Sequence, residues 1–169
     1  MVATIKVGKI AAAAGNTITV ESGDVLQAPG HVIQVVQHTD TTEYTSTSAT
    51  VAQGPQTSTF TLKKSTSKVL VSVNCCMQST RSSASGGRLV IYRGSIASGT
   101  LLTTGAEPQW YTKDSGTEQY AIISLQFLDT PAVASTTYSM GFYKHPSATD
   151  IKIKGNFLTT TMLLQEVAQ

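Results

Sequence analysis

Charge is scarce in this chain. Of its 169 residues only 13% are Asp, Glu, Lys or Arg, and the net charge is +2. So weakly charged a surface offers neither a basic stripe for nucleic-acid phosphates nor an acidic tail. Cysteine is equally sparse, with only Cys75 and Cys76. Neighbours on a strand point to opposite faces, so the two do not suit a mutual disulfide, and no disulfide framework or CxxC pattern exists. No apolar run approaches the length of a membrane span. The early "KIAAAAG" lacks the apolar core of a signal peptide. These absences predict a chain made in a reducing cytoplasm, with no nucleic-acid or membrane partner. Catalytic motifs are missing too: there is no GxSxG, HExxH, P-loop or post-strand GxGxxG. The expectation is a protein that is not an enzyme and needs no cofactor. Helical periodicity is also wanting, since "AAAAG" at 11–15 is a single turn ending in Gly.

What the chain has in abundance is Ser and Thr, about a quarter of all residues. Thr favours strands and Ser favours turns. Strand-like alternation recurs along the chain. "KVLVSVNCCM" puts Val69, Val71, Val73, Cys75 and Met77 on one face. "GRLVIYRG" opposes Leu89 and Ile91 to Arg88 and Tyr92. "EQYAIISLQFLD" aligns Ala121, Ile123, Leu125 and Phe127, with Tyr120 and Ile122 on the other side. "TTYSMGFYK" aligns Tyr138, Met140 and Phe142, and "FLTTTMLLQEV" aligns Met162 and Leu164 against Leu163 and Val167. "VIQVVQHT" and "TSTFTLKK" add two more strands, the first apolar enough to join a core. "QGPQ", "SASGG", "GSIASG", "KDSG", "LDTP" and "HPSATD" read as the joints between them. Seven or eight strands after residue 30 predict an all-β chain, an antiparallel β-sandwich of jelly-roll type. Apolar residues on both faces of several strands predict that part of the outer surface meets another subunit in a closed oligomer.

The segment before Pro29 differs. "ATIKVGKI", "NTITV" and "DVLQ" are short phrases with too little apolar content to build a core alone. Their stripe of Ile5, Val7, Ile10, Ile18, Val20 and Val25 would be buried if sister chains built a stalk together. The alternative is an arm lying on the domain's own sheet or left disordered. The chain therefore divides into an N-terminal β arm or stalk, 1–28, for oligomerisation, and a jelly-roll domain, 29–169.

Few residues suggest chemistry. "HTDTTE" sets His38 and Asp40 on one side of an extended segment with Glu43 near, but the spacing is not specific to a metal. Cys75 sits in an apolar row and Cys76 has no cation beside it, so both read as packing thiols. Trp110 and Tyr111, in a polar stretch, would either stack on a sugar or cap the end of a sandwich. Arg81, Arg88 and Arg93 flank the "SSASGG" hairpin, where an acidic glycan or phosphate could bind, although solvated hairpin ends are the commoner outcome.

The order "APGHVIQVVQ", "TDTTEYTSTS", "TSKVLVSV", "RLVIYRGS", "FLDTP", "TTYSM" and "TTTMLLQEVA" resembles a β-sandwich knob domain of bacteriophage virion surface and fibre proteins, of the marine and cyanobacterial phage type. The resemblance covers about residues 29–168, and "TIKVGKIAAAAGNTITVESGDVLQAPG" is similar to the stalk pieces that precede such domains. It implies a homotrimeric jelly-roll knob at the virion surface, with no enzyme activity and no cofactor. Its partners would be itself, the major capsid or tail proteins and, for a receptor-binding tip, a host-surface glycan. Without a long fibre shaft or large anchoring domain, the chain fits a capsid decoration or cement protein, or a short head-fibre spike. The adjacent cysteines are not part of the family pattern.

Overall fold

A computed structural model describes residues 29–81, 85–103, 109–112 and 118–169, and these are all-β. The strands are β1 (Val32–Asp40), β2 (Glu43–Ser46), β3 (Ala52–Gln56), β4 (Phe60–Thr61), β5 (Lys68–Arg81), β6 (Ser85–Arg93), β7 (Thr100–Leu101), β8 (Trp110–Thr112), β9 (Glu118–Asp129), β10 (Ser135–Thr136), β11 (Tyr138–Lys144), β12 (Ala148–Lys154) and β13 (Thr160–Val167). All their pairings are antiparallel. The N-terminal segment with Ile5, Val7, Ile10, Ile18, Val20 and Val25 lies outside the described residues.

The main sheet has six strands in four lanes. Its axis is β5, whose alternating Val and Cys residues bury one whole face. β9 runs along one edge of β5, from Val69 opposite Asp129 to Thr80 opposite Glu118. Along the other edge β13 pairs with residues 68–74 and β12 with residues 77–81, so these two successive strands share one lane. β1 and β2 share the outermost lane in the same way, pairing with β13 and β12. These two adjacent lanes break at the same level. A Cβ on Gly155 would stand 2.4 Å from the Thr42 carbonyl oxygen, so only glycine lets the two breaks abut. The jog between β1 and β2 is held by Asp40, which accepts from the Thr42 N–H at 2.7 Å and from the Tyr44 hydroxyl at 2.8 Å. Burial pushes the Asp40 carboxyl up, but these hydrogen bonds and the nearby His38 outweigh it and hold it below its ordinary value.

The second sheet runs β3-β11-β6, with β7 and β8 both on the far edge of β6. A short β4–β10 ribbon completes the described strands. One core joins the two larger sheets. It contains Val69, Val71, Val73, Cys75 and Met77 of β5, Ile151 and Ile153 of β12, and Met162 and Leu164 of β13. Leu89 and Ile91 of β6 and Tyr138, Met140 and Phe142 of β11 meet them from the second sheet. The expected inward faces of these strands, and of β9 through Ile123, are therefore the observed ones.

Three readings of local sequence need correction. "QGPQ" is strand, not joint, and forms most of β3. Pro55 is tolerated because β3 is an edge strand, and Gly54 leaves room for Ile153, whose Cδ1 lies 2.9 Å from where a Cβ would be. The glycines of "SASGG" likewise lie inside β6. Gly86 has φ of +143°, and a Cβ there would meet the Trp110 carbonyl oxygen at 2.4 Å, so glycine lets β8 close on β6. Finally, β1 does not join the core: it is the outermost lane, and Val32, Val35 and Val36 are exposed.

Two buried carboxylates, one holding a loop and one joining the two sheets, brace this frame. Glu166, fully buried on β13, accepts from the backbone N–H groups of Lys63 and Lys64 and from the Gln34 amide. Asp129 at the end of β9 is bound by the Arg93 guanidinium at 3.0 Å and by the Tyr138 hydroxyl at 2.9 Å.

Candidate interaction surface

The face of the main sheet turned away from the core is set by register. Across β1, β13, β5 and β9 it carries Val35, Gln37 and Thr39, then Thr161, Leu163 and Gln165, then Leu70, Ser72, Asn74, Cys76 and Gln78, then Tyr120, Ile122, Ser124, Gln126 and Leu128. No charged residue interrupts this set between Lys68 at one end and Glu118 at the other. Ile122 is 69% exposed and Val35 is 54% exposed, and Tyr120 and Leu128 are exposed as well. Elsewhere on the same sheet charge returns: Glu43 on β2 pairs with Lys152 at 3.7 Å and hydrogen-bonds Lys154 on β12. The Lys154 bond and charge hold the Glu43 carboxyl below its ordinary value.

The turn between β12 and β13 folds Phe157 and Leu158 over this face. Phe157 is 74% exposed yet stacks on Tyr120 with ring centres 5.7 Å apart. Together with Cys76, Ala121 and Ile122 they line a cavity of about 400 Å³. Cys76 is buried beneath them, and burial raises its thiol while Lys154 acts the other way. Cys75, on the opposite face in the core, is pushed up to about 12 by burial and by the neighbouring Cys76. Neither thiol is activated as a nucleophile at neutral pH.

A second cavity, of about 430 Å³, lies on the outer side of the second sheet. Ala49, Thr50, Val51, Arg88, Val90, Leu101, Thr103 and Tyr143 line it. Arg88 and Val90 reach it because they occupy the β6 positions opposite in phase to Leu89 and Ile91. Arg88 is only 5% exposed. Its Nη1 donates to the Tyr143 hydroxyl at 3.2 Å, and its Nε is buried with no hydrogen-bond partner. Among the described residues no carboxylate pairs with it.

The other expected ligand residues are dispersed. Arg93, five positions along β6 from Arg88, falls on the opposite face and is bound to Asp129. Arg81 ends β5, opposite Ala148. Trp110 is half-buried and packs against the core, while Tyr111 is exposed and tilts against the His145 ring, centres 4.7 Å apart. His38, Asp40 and Glu43 do not converge, since Asp40 is engaged by Thr42 and Tyr44 and Glu43 by the two lysines. The isolation of Arg88 was not legible beforehand. Its alternation with Leu89 and Ile91 marks it as outward, whereas its burial comes with segments distant in sequence, residues 49–51, 101–103 and Tyr143, that line the same cavity.

No family model matches this chain, and no curated protein does either. Among solved structures, one chain in the structure of infectious bursal disease virus, Gx strain, is similar at 12% identity and a TM-score of 0.36. The match covers 90% of this chain and 41% of the viral one.

Proposed function

We propose that this chain is a non-enzymatic structural protein of a bacteriophage virion: a homotrimeric surface knob, a β-sandwich of jelly-roll type, that decorates or cements the capsid or forms a short head-fibre spike. The observation that carries the reading is the uncharged stretch of the main sheet's outer face across β1, β13, β5 and β9, with Val35, Ile122 and Leu128 exposed on it. Desolvating such a face costs little, and its apolar positions gain from contact with a sister chain. The order of sequence segments that resembles phage knob domains supports the same reading. The 1–28 segment, with its stripe from Ile5 to Val25, is the part assigned to joining sister chains or to gripping major capsid or tail proteins.

The test uses full-length protein and purified particles. Ile18→Asp with Val20→Asp should abolish particle binding while the circular dichroism of the knob stays that of the wild type. Undiminished binding by this double variant would remove the arm from the attachment mechanism.

A receptor-binding tip that grips a host-surface glycan is the second reading. It is favoured by one observation, the Arg88 guanidinium that lines an open cavity with no carboxylate partner among the described residues. Arg88→Met separates it from the first, because impaired cell binding with an unchanged circular dichroism is expected only if the Arg88 cavity holds a receptor.

A further inference from the structure

We infer that the cavity over Arg88 is a binding site for a small sugar acid, a hexuronate, whose carboxylate takes the unoccupied edge of the guanidinium. This deepens the second reading, and it is tested on the isolated protein, so a failure of cell attachment and a failure of the cavity are distinguishable.

A buried cation without a counter-charge is costly, and natural proteins seldom retain one unless something else pairs with it. Among the described residues Arg88 is such a cation: 5% exposed, with one hydrogen bond, to the Tyr143 hydroxyl. With Nη1 taken by Tyr143, the Nε and Nη2 pair is left, and two parallel N–H groups match the two oxygens of a carboxylate. Among the described residues no second cation lines the cavity, which argues for a monoanionic carboxylate over a phosphate dianion. The walls describe the rest of the ligand. Thr50, Thr103 and Tyr143 bring hydroxyls that suit a polyol, and Val51, Val90 and Leu101 suit the C–H face of a sugar ring. The cavity of about 430 Å³ is in the range of ordinary ligand sites.

The probe is D-galacturonate, titrated into the full chain by calorimetry and by thermal melting, with D-galactose, acetate and inorganic phosphate as controls. Saturable galacturonate binding that raises the melting midpoint, with the controls at least about tenfold weaker, is the expected result. Arg88→Met should lose that binding yet melt no lower than the ligand-free wild type, because it removes an unpaired charge. Arg88→Lys keeps the charge and loses the paired donors, so it should weaken binding by about tenfold or more even if the Met variant fails to fold. Absence of galacturonate binding overturns the inference, and so does equal binding of galactose, acetate or phosphate. Glu107, outside the described residues, is the nearest acid along the chain. If Glu107→Gln and Arg88→Met both lower the midpoint by similar amounts and their double variant lowers it no further, Arg88 has an internal partner and the inference is likewise overturned.

Discussion

At Gly87 the second sheet packs tightly against a side chain of the first. A Cβ there would stand 2.0 Å from Ile151 Cδ1 and 2.8 Å from the Tyr143 carbonyl oxygen. Gly87→Ala should therefore destabilise the fold by about 1–3 kcal/mol, the range for overpacking, read from urea unfolding. Glu166 is a second sensitive residue. Its carboxylate is the common acceptor for Lys63 N–H, Lys64 N–H and the Gln34 amide. Glu166→Ala leaves these donors unanswered in a buried place, so a loss of about 2–4 kcal/mol is expected, together with faster proteolysis at 62–67. Cys75 sets an alkaline limit. Its thiol lies at about 12 against an ordinary 9.0, raised by burial and then by Cys76, so the folded state holds its proton more tightly than the unfolded state. The stability this group contributes is complete below pH 9 and is lost as pH rises from 9 towards 12. Cys75→Ala should flatten the fall in melting midpoint over that window, and an unchanged slope would contradict the assignment.

Among the elements, β5 was the most legible in sequence, because it is long, alternates with Leu70 as the exception, and both its neighbours bury the same phase. The inward residues of β6, β9, β11 and β13 were legible for the same reason. What escaped sequence reading depends on contacts between distant segments. Proline and glycine in "QGPQ" signal a turn locally, yet β11 pairs with that segment and makes it an edge strand. "VIQVVQHT" has core composition, yet it occupies the outermost lane, beyond the reach of the second sheet. Glu166 reads as an ordinary polar residue until the 62–64 backbone closes over it. The candidate site divides in the same way: the apolar outward positions Tyr120 and Ile122 were visible in the pattern, whereas the scatter of Arg81, Arg88 and Arg93 follows from strand phase. The abutting lane breaks yield a prediction at this scale. Gly155→Val places a branched side chain against Thr41 and Thr42, where even a Cβ meets the Thr42 oxygen at 2.4 Å. It should detach the β1–β2 lane, seen as selective loss of amide-exchange protection at residues 32–46 with β5 protection kept.

At the scale of the molecule, the described residues make one core with two very different outsides. The second sheet is covered by its own loops at 49–51 and 101–103, and between them lies the Arg88 cavity. Among the described residues only Phe157 and Leu158 lie over the outer face of the main sheet, which across β1, β13, β5 and β9 presents uncharged polar and apolar residues in rows. This asymmetry connects the outward half of the sequence pattern to the proposed role as a subunit of a surface assembly. Light scattering coupled to size exclusion, on full-length wild type and Ile122→Asp at micromolar concentration, tests that connection most directly. A joint at this face predicts a wild-type mass three times the 17.8 kDa of one chain, and a single-chain mass with unchanged circular dichroism for the variant. A wild-type protein that runs as a 17.8 kDa monomer, or a trimer indifferent to Ile122→Asp, would contradict it.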